Sequence, residues 1–151
     1  MEDKLKIELV PDGCWKYNIR TVFSEEVWNA VKKVVKNRAN GVCEICGAKS
    51  NRLEAHEIWD YTTDENFKLG VIKLKDVVAI CKDCHSAIHM ERTRLKGDII
   101  KAEDHFMKVN DLSYAQYRQR LGKANEEQQR LSKTAEWVLN FENLKKILGL
   151  E

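Results

Sequence analysis

Val78-Ala79-Ile80-Cys81-Lys82-Asp83-Cys84-His85-Ser86-Ala87-Ile88-His89 ends a short apolar run in a C-x-x-C pair and then sets two histidines four residues apart. Upstream, Cys43-Glu44-Ile45-Cys46-Gly47 carries the same C-x-x-C spacing. Such a turn offers two thiolates from one tight knuckle. Two knuckles offer four, which fills the tetrahedron of a structural Zn2+ and leaves no open position. Cys43, Cys46, Cys81 and Cys84 are therefore read as zinc ligands. Gly47 permits the turn and a close backbone approach. Metal at these four positions would close residues 47–80 into a loop, so binding would contribute to folding. The fifth cysteine, Cys14, lies outside the pattern and reads as a small buried apolar residue.

Outward from this stretch, Lys4 to Val10 alternates, with Leu5, Ile7 and Leu9 on one side, and predicts a short strand. Ser24 reads as an N-cap, with Glu25 and Glu26 placed to favour a helix N-terminus. Val27, Trp28, Val31, Val34 and Val35 follow at helical spacing, and Asn40-Gly41 marks the stop. Leu53 to Tyr61 predicts extended chain, and Thr62 to Asn66 a turn. Val71–Leu74 and Val77–Ile80 are two apolar runs of strand or extended backbone. His85 to about Arg94 suits a helix. The remainder is helical in character: Ile99, Ala102 and Phe106 share a face, and Ser113-Tyr114-Ala115-Gln116 has capping-box spacing. Trp137, Leu139 and Phe141 alternate briefly, and Phe141 to Leu148 suits a short closing helix. These aromatic and aliphatic stripes are read as core.

The chain has 151 residues and a formal net charge of +2, which suits one compact domain and does not advertise nucleic-acid affinity through bulk charge. Such affinity would have to come from local clusters, 32–38 or 92–96, each of which also reads as a solvated helix face. No apolar run is long enough to span a bilayer, and Met1 to Lys6 lacks the apolar core of a signal peptide. The expectation is a cytoplasmic protein with reduced thiols and no membrane partner.

Three of the four histidines lie in or beside the zinc loop. His56 sits on the predicted extended stretch beside Glu57, while His85 and His89 fall on one face of a helix. The joint pattern points to a metal or phosphate site. His105 falls outside it and reads as a packing residue. Leu53-Glu54-Ala55-His56-Glu57-Ile58, followed by the Val78–His89 stretch, resembles the zinc-stapled HNH endonucleases with a ββα-metal (His-Me finger) core. The resemblance covers roughly Cys43 to His89.

That resemblance implies an α+β fold. A small ββα-metal core carries the four-cysteine zinc and is flanked by N- and C-terminal helices. Residues 1–96 would form the nuclease core with its N-terminal strand and helix, and residues 97–151 a helical extension packed on it. It further implies that His56, His85 and His89 hold a catalytic divalent metal, Mg2+ or another. Glu57 occupies the position usually held by a general-base histidine, and Asp76 a place comparable to the motif's asparagine. Glu57 can act as the base, or as a metal ligand with His85 as base. The implied activity is metal-dependent hydrolysis of DNA phosphodiesters, double-stranded DNA first among substrates. The alternative is a catalytically inactive zinc-stabilised module that binds nucleic acid or a protein. The C-terminal helices would set target choice, mediate a homodimer or protein contact, or complete the core.

Overall fold

The computed structural model describes residues 2–150. In chain order the elements are α1 (Ile19–Val22), α2 (Glu25–Ala39), β1 (Glu54–Thr63), β2 (Leu69–Ile80), α3 (Lys82–Ile88), α4 (Met90–Leu95), α5 (Ile99–Asn110), α6 (Tyr114–Leu131), β3 (Glu136–Asn140) and α7 (Leu144–Ile147). The fold is α+β, and β1-β2-α3 forms its ββα unit.

The two apolar runs of the sequence form one continuous strand, β2, antiparallel to β1 from Glu54↔Ile80 to Thr63↔Gly70. A bulge between Ile58 and Trp59 shifts the register midway. Asp64 closes the hairpin: its Oδ1 accepts the Asn66 N–H (2.8 Å) and its Oδ2 the Leu69 N–H (2.9 Å). A carboxylate folded back on its own turn in this way replaces ladder bonds that the turn cannot make.

Helix α2 forms as its signals require. Ser24 Oγ accepts the Val27 N–H at 3.1 Å, and Asn40 ends the helix in the left-handed region, φ 52°. Its apolar face buries Trp28, Val31 and Val35. Arg38, in its last turn, donates to both Glu44 carboxylate oxygens (3.0 and 2.7 Å) and to the Val77 carbonyl (2.9 Å). Glu44 in turn accepts the Ala79 N–H at 2.9 Å. One ion pair therefore ties α2, the first cysteine knuckle and β2 together.

Two local expectations are corrected. Lys4–Val10 forms no strand, with a bend at Lys4 and Leu5; Leu5 is wholly buried, and the Glu8 N–H donates to the Ile88 carbonyl at 3.0 Å. The alternation there serves packing against the helices rather than a ladder. The helix expected over 85–94 starts earlier, at Lys82, and breaks at His89 (φ −93°, ψ 54°) before α4 resumes.

Past Gly97, α5 buries Ala102 and Phe106, and α6 begins with a reciprocal Ser113–Gln116 capping box. The chain then returns to the sheet. β3 pairs parallel with β2 from Leu69↔Glu136 to Lys73↔Asn140, giving the order β1-β2-β3 among the described residues. The core gathers Leu5, Ile19, Val31, Val77, Ile80, Phe106 and Tyr117 from every part of this path. No helix among the described residues is long and apolar enough to cross a membrane.

Candidate functional site

The four knuckle cysteines converge. Their Sγ atoms lie within 4.8 Å of one another, with Cys43–Cys84 at 3.8 Å and Cys46–Cys81 at 3.7 Å. A tetrahedron with Zn–S bonds of about 2.3 Å has S–S edges of about 3.8 Å, so the spacing fits the ion. The Cys46 N–H points at Cys43 Sγ and the Cys84 N–H at Cys81 Sγ, both at 3.5 Å. The second of these also caps α3. Burial opposes ionisation of Cys43, yet the knuckle N–H groups bring its pKa down to about 7. Burial and the neighbouring thiolates push Cys84 far upward. Thiols this close cannot all ionise unless a cation shares the pocket. The four-cysteine group is thus a site for structural zinc.

His105, read from sequence as a packing residue, sends its Nε2 to 3.2 Å from Cys84 Sγ. A metal-bound thiolate only accepts, so this nitrogen carries the proton in that state. The contact comes from α5, 21 residues beyond Cys84, with no motif to signal it.

The histidines form a second group. His56 (β1), His85 (α3) and His89 (between α3 and α4) each bring a ring nitrogen within 4.8 Å of the others. Ring centroids lie 5.5 Å apart for His56–His85, 5.1 Å for His56–His89 and 4.9 Å for His85–His89. The hairpin sets His56 facing the helix, and the four-residue spacing brings His89 back beside His85. Burial, reinforced by the charge of His56, lowers the His89 pKa to about 4. Its ring is therefore neutral at pH 7, the form that binds a metal.

Carboxylates flank two of the rings. His85 Nδ1 pairs with Glu54, two residues before His56 on the same face of β1. His56 Nε2 lies 3.0 Å from Glu8 Oε2, a residue 48 positions away. Glu57 does not join the group. Its Oε2 accepts the buried Ile19 N–H at 2.7 Å, at the start of α1, and burial raises its pKa although that N–H pulls the other way. Asp76 lies 4.0 Å from Arg38 and its Oδ1 accepts its neighbour's N–H (Val77).

Part of the chain is similar to a protein of known type. Over 92 residues the chain is 32% identical to a probable HNH endonuclease of Lactococcus phage SK1, covering 95% of that protein and 54% of this one. This chain belongs to the HNH endonuclease family. No family model matches the chain, and no solved structure matches it. The HNH core here is β1, β2 and α3, with the four-cysteine site at the start of α3 and His56, His85 and His89 contributed by β1, α3 and the residue that follows it.

A groove of about 440 Å³ opens beside His85 and His89. Lys82, Arg92 and Lys96 line it, so the 92–96 cluster faces the histidines rather than bulk solvent alone. The 32–38 cluster lies on α2, where Arg38 is engaged by Glu44.

Proposed function

We propose that the protein is a metal-dependent endonuclease acting on DNA, with its site at His56, His85 and His89. The observation that carries this reading is the convergence of three imidazoles, from β1, α3 and the α3–α4 junction, on one point. A divalent cation such as Mg2+ held by these rings would neutralise charge on the scissile phosphate and stabilise the leaving ester oxygen. Lys82, Arg92 and Lys96 hold the phosphates on either side, which supplies locally the positive field that the net charge lacks. Glu54 fixes the orientation of the His85 ring. Water attacks phosphorus and the ester P–O bond breaks; Glu57 stands at the motif's base position, and taking the water's proton would require its carboxylate to leave the Ile19 N–H.

Purified, zinc-loaded protein is incubated with supercoiled plasmid and with single-stranded DNA in Mg2+, Mn2+, Ni2+ or EDTA. Metal-dependent cleavage is expected, lost in His89→Ala and strongly reduced in Glu57→Gln. Glutamine still accepts the Ile19 N–H, so a loss in that variant reports chemistry rather than folding. No cleavage by folded wild type under any of these conditions would overturn the nuclease reading. The second reading, an inactive zinc-stabilised module binding nucleic acid or a protein, draws on the engagement of Glu57 by Ile19.

A further inference from the structure

Glu8 lies outside every motif of the sequence, yet its carboxylate reaches the histidine group. Its Oε2 is 3.0 Å from His56 Nε2, and the His56 side chain is only 7% exposed. The segment that carries Glu8 is pinned on both sides. The Glu8 N–H donates to the Ile88 carbonyl at 3.0 Å, one residue before His89. Three residues earlier, Asn110 brackets the Leu5 peptide: its Oδ1 accepts the Leu5 N–H (2.9 Å) and its Nδ2 donates to the Leu5 carbonyl (2.8 Å). The carboxylate is therefore held against His56, at the edge of the histidine group, before any ligand arrives.

We propose that Glu8 is the fourth protein group of the histidine metal site, supplying an oxygen donor and a negative charge to a set otherwise made of three imidazoles. The proposal rests on reading those histidines as a metal site. Its chemistry follows from donor preference. Imidazole alone suits Zn2+, Ni2+ and Cu2+, whereas Mg2+ and Mn2+ favour carboxylate oxygen. A carboxylate beside His56 shifts the site toward the harder ions that phosphoryl chemistry uses. Glu54 pairs with His85 in a similar way, but its side chain is 49% exposed against 20% for Glu8, and Glu57 is committed to the Ile19 N–H.

The test is calorimetric and needs no turnover. Mn2+ and Ni2+ are titrated separately into protein whose cysteine site is already loaded with zinc, using wild type, Glu8→Gln and His89→Ala. The expected result is a Glu8→Gln affinity loss of about tenfold or more for Mn2+ and a clearly smaller loss for Ni2+, with His89→Ala losing both. Equal losses for the two ions, or none, would overturn the proposal while leaving the histidine site standing, since a mere tether of the N-terminal segment affects every ion alike. Failure of wild type to bind either ion beyond the zinc overturns the histidine metal site and this proposal with it. If Glu8→Gln fails to retain zinc, the decision passes to the Glu8 carboxylate ¹³C resonance in wild type on adding Mg2+. A saturable shift supports the proposal, and an unmoved resonance overturns it.

Discussion

Glu57 has an anchoring role that can be tested apart from its proposed role as base. Its carboxylate accepts the N–H of Ile19, a wholly buried residue. Removing the acceptor leaves that donor unpaired, at a cost of about 1–3 kcal/mol. Glu57→Ala should therefore melt lower, by about 2–4 °C for each kcal/mol in a chain of this size. Glu57→Gln should stay close to wild type. Thermal unfolding of the pair checks the anchoring role; equal melting of Glu57→Ala and wild type would remove it. Cys14 is the other isolated case. It is 3% exposed, and burial pushes its pKa up to about 11. A buried, protonated thiol is inert, as its position outside the knuckles suggests.

Between elements, the contacts that matter were invisible to local pattern. His105 reaches Cys84 from α5, a helix whose spacing announces only Ala102 and Phe106 as its buried face. His105→Ala should weaken zinc binding by about 10–100-fold, as loss of a group bonded to a metal ligand does. Competition with a chromophoric chelator measures it; unchanged zinc retention would count against the contact. At the other edge of the sheet, β3 docks over Gly70. A Cβ there would lie 2.5 Å from the Trp137 ring and 3.0 Å from Thr134 Cγ2. Gly70→Ala should displace Trp137 and destabilise the protein by about 1–3 kcal/mol. The shift would appear in denaturant unfolding and in the indole resonance of Trp137, and an unaltered Trp137 signal would argue that β3 is not seated on β2 as described.

For the molecule as a whole, the four-cysteine site adds to the Arg38–Glu44 pair and the shared core a tie between the first knuckle and the β2–α3 junction. Cys43 and Cys46 follow α2, while Cys81 and Cys84 join β2 to α3. Closing so long a loop by metal makes metal binding and folding one event. Chelation should therefore abolish cooperative unfolding rather than merely lower its midpoint. In native, zinc-loaded protein a thiol reagent should find none of the four knuckle cysteines and not Cys14. After chelation all should react. Labelling followed by mass spectrometry distinguishes the two, and rapid labelling of Cys46 in zinc-loaded protein would contradict a closed site.

The two C-x-x-C knuckles, the His85–His89 pair and α2 with both its ends were legible because each rests on short-range spacing: C-x-x-C, the four-residue helical repeat and capping side chains. Those signals act within one or two turns of chain, and tertiary packing did not have to choose among alternatives. The strand expected at Lys4–Val10 failed for the converse reason. Alternation reports that one side is buried but not whether the backbone finds a ladder, and here Leu5 is buried against helices instead. The merging of two apolar runs into β2, the return of β3 to its side, and the arrival of Glu8 at His56 and His105 at Cys84 all join residues far apart in sequence. No local propensity encodes such meetings. They are set by how the helices and sheet bury their apolar faces together, and they decide which carboxylate stands beside the histidines.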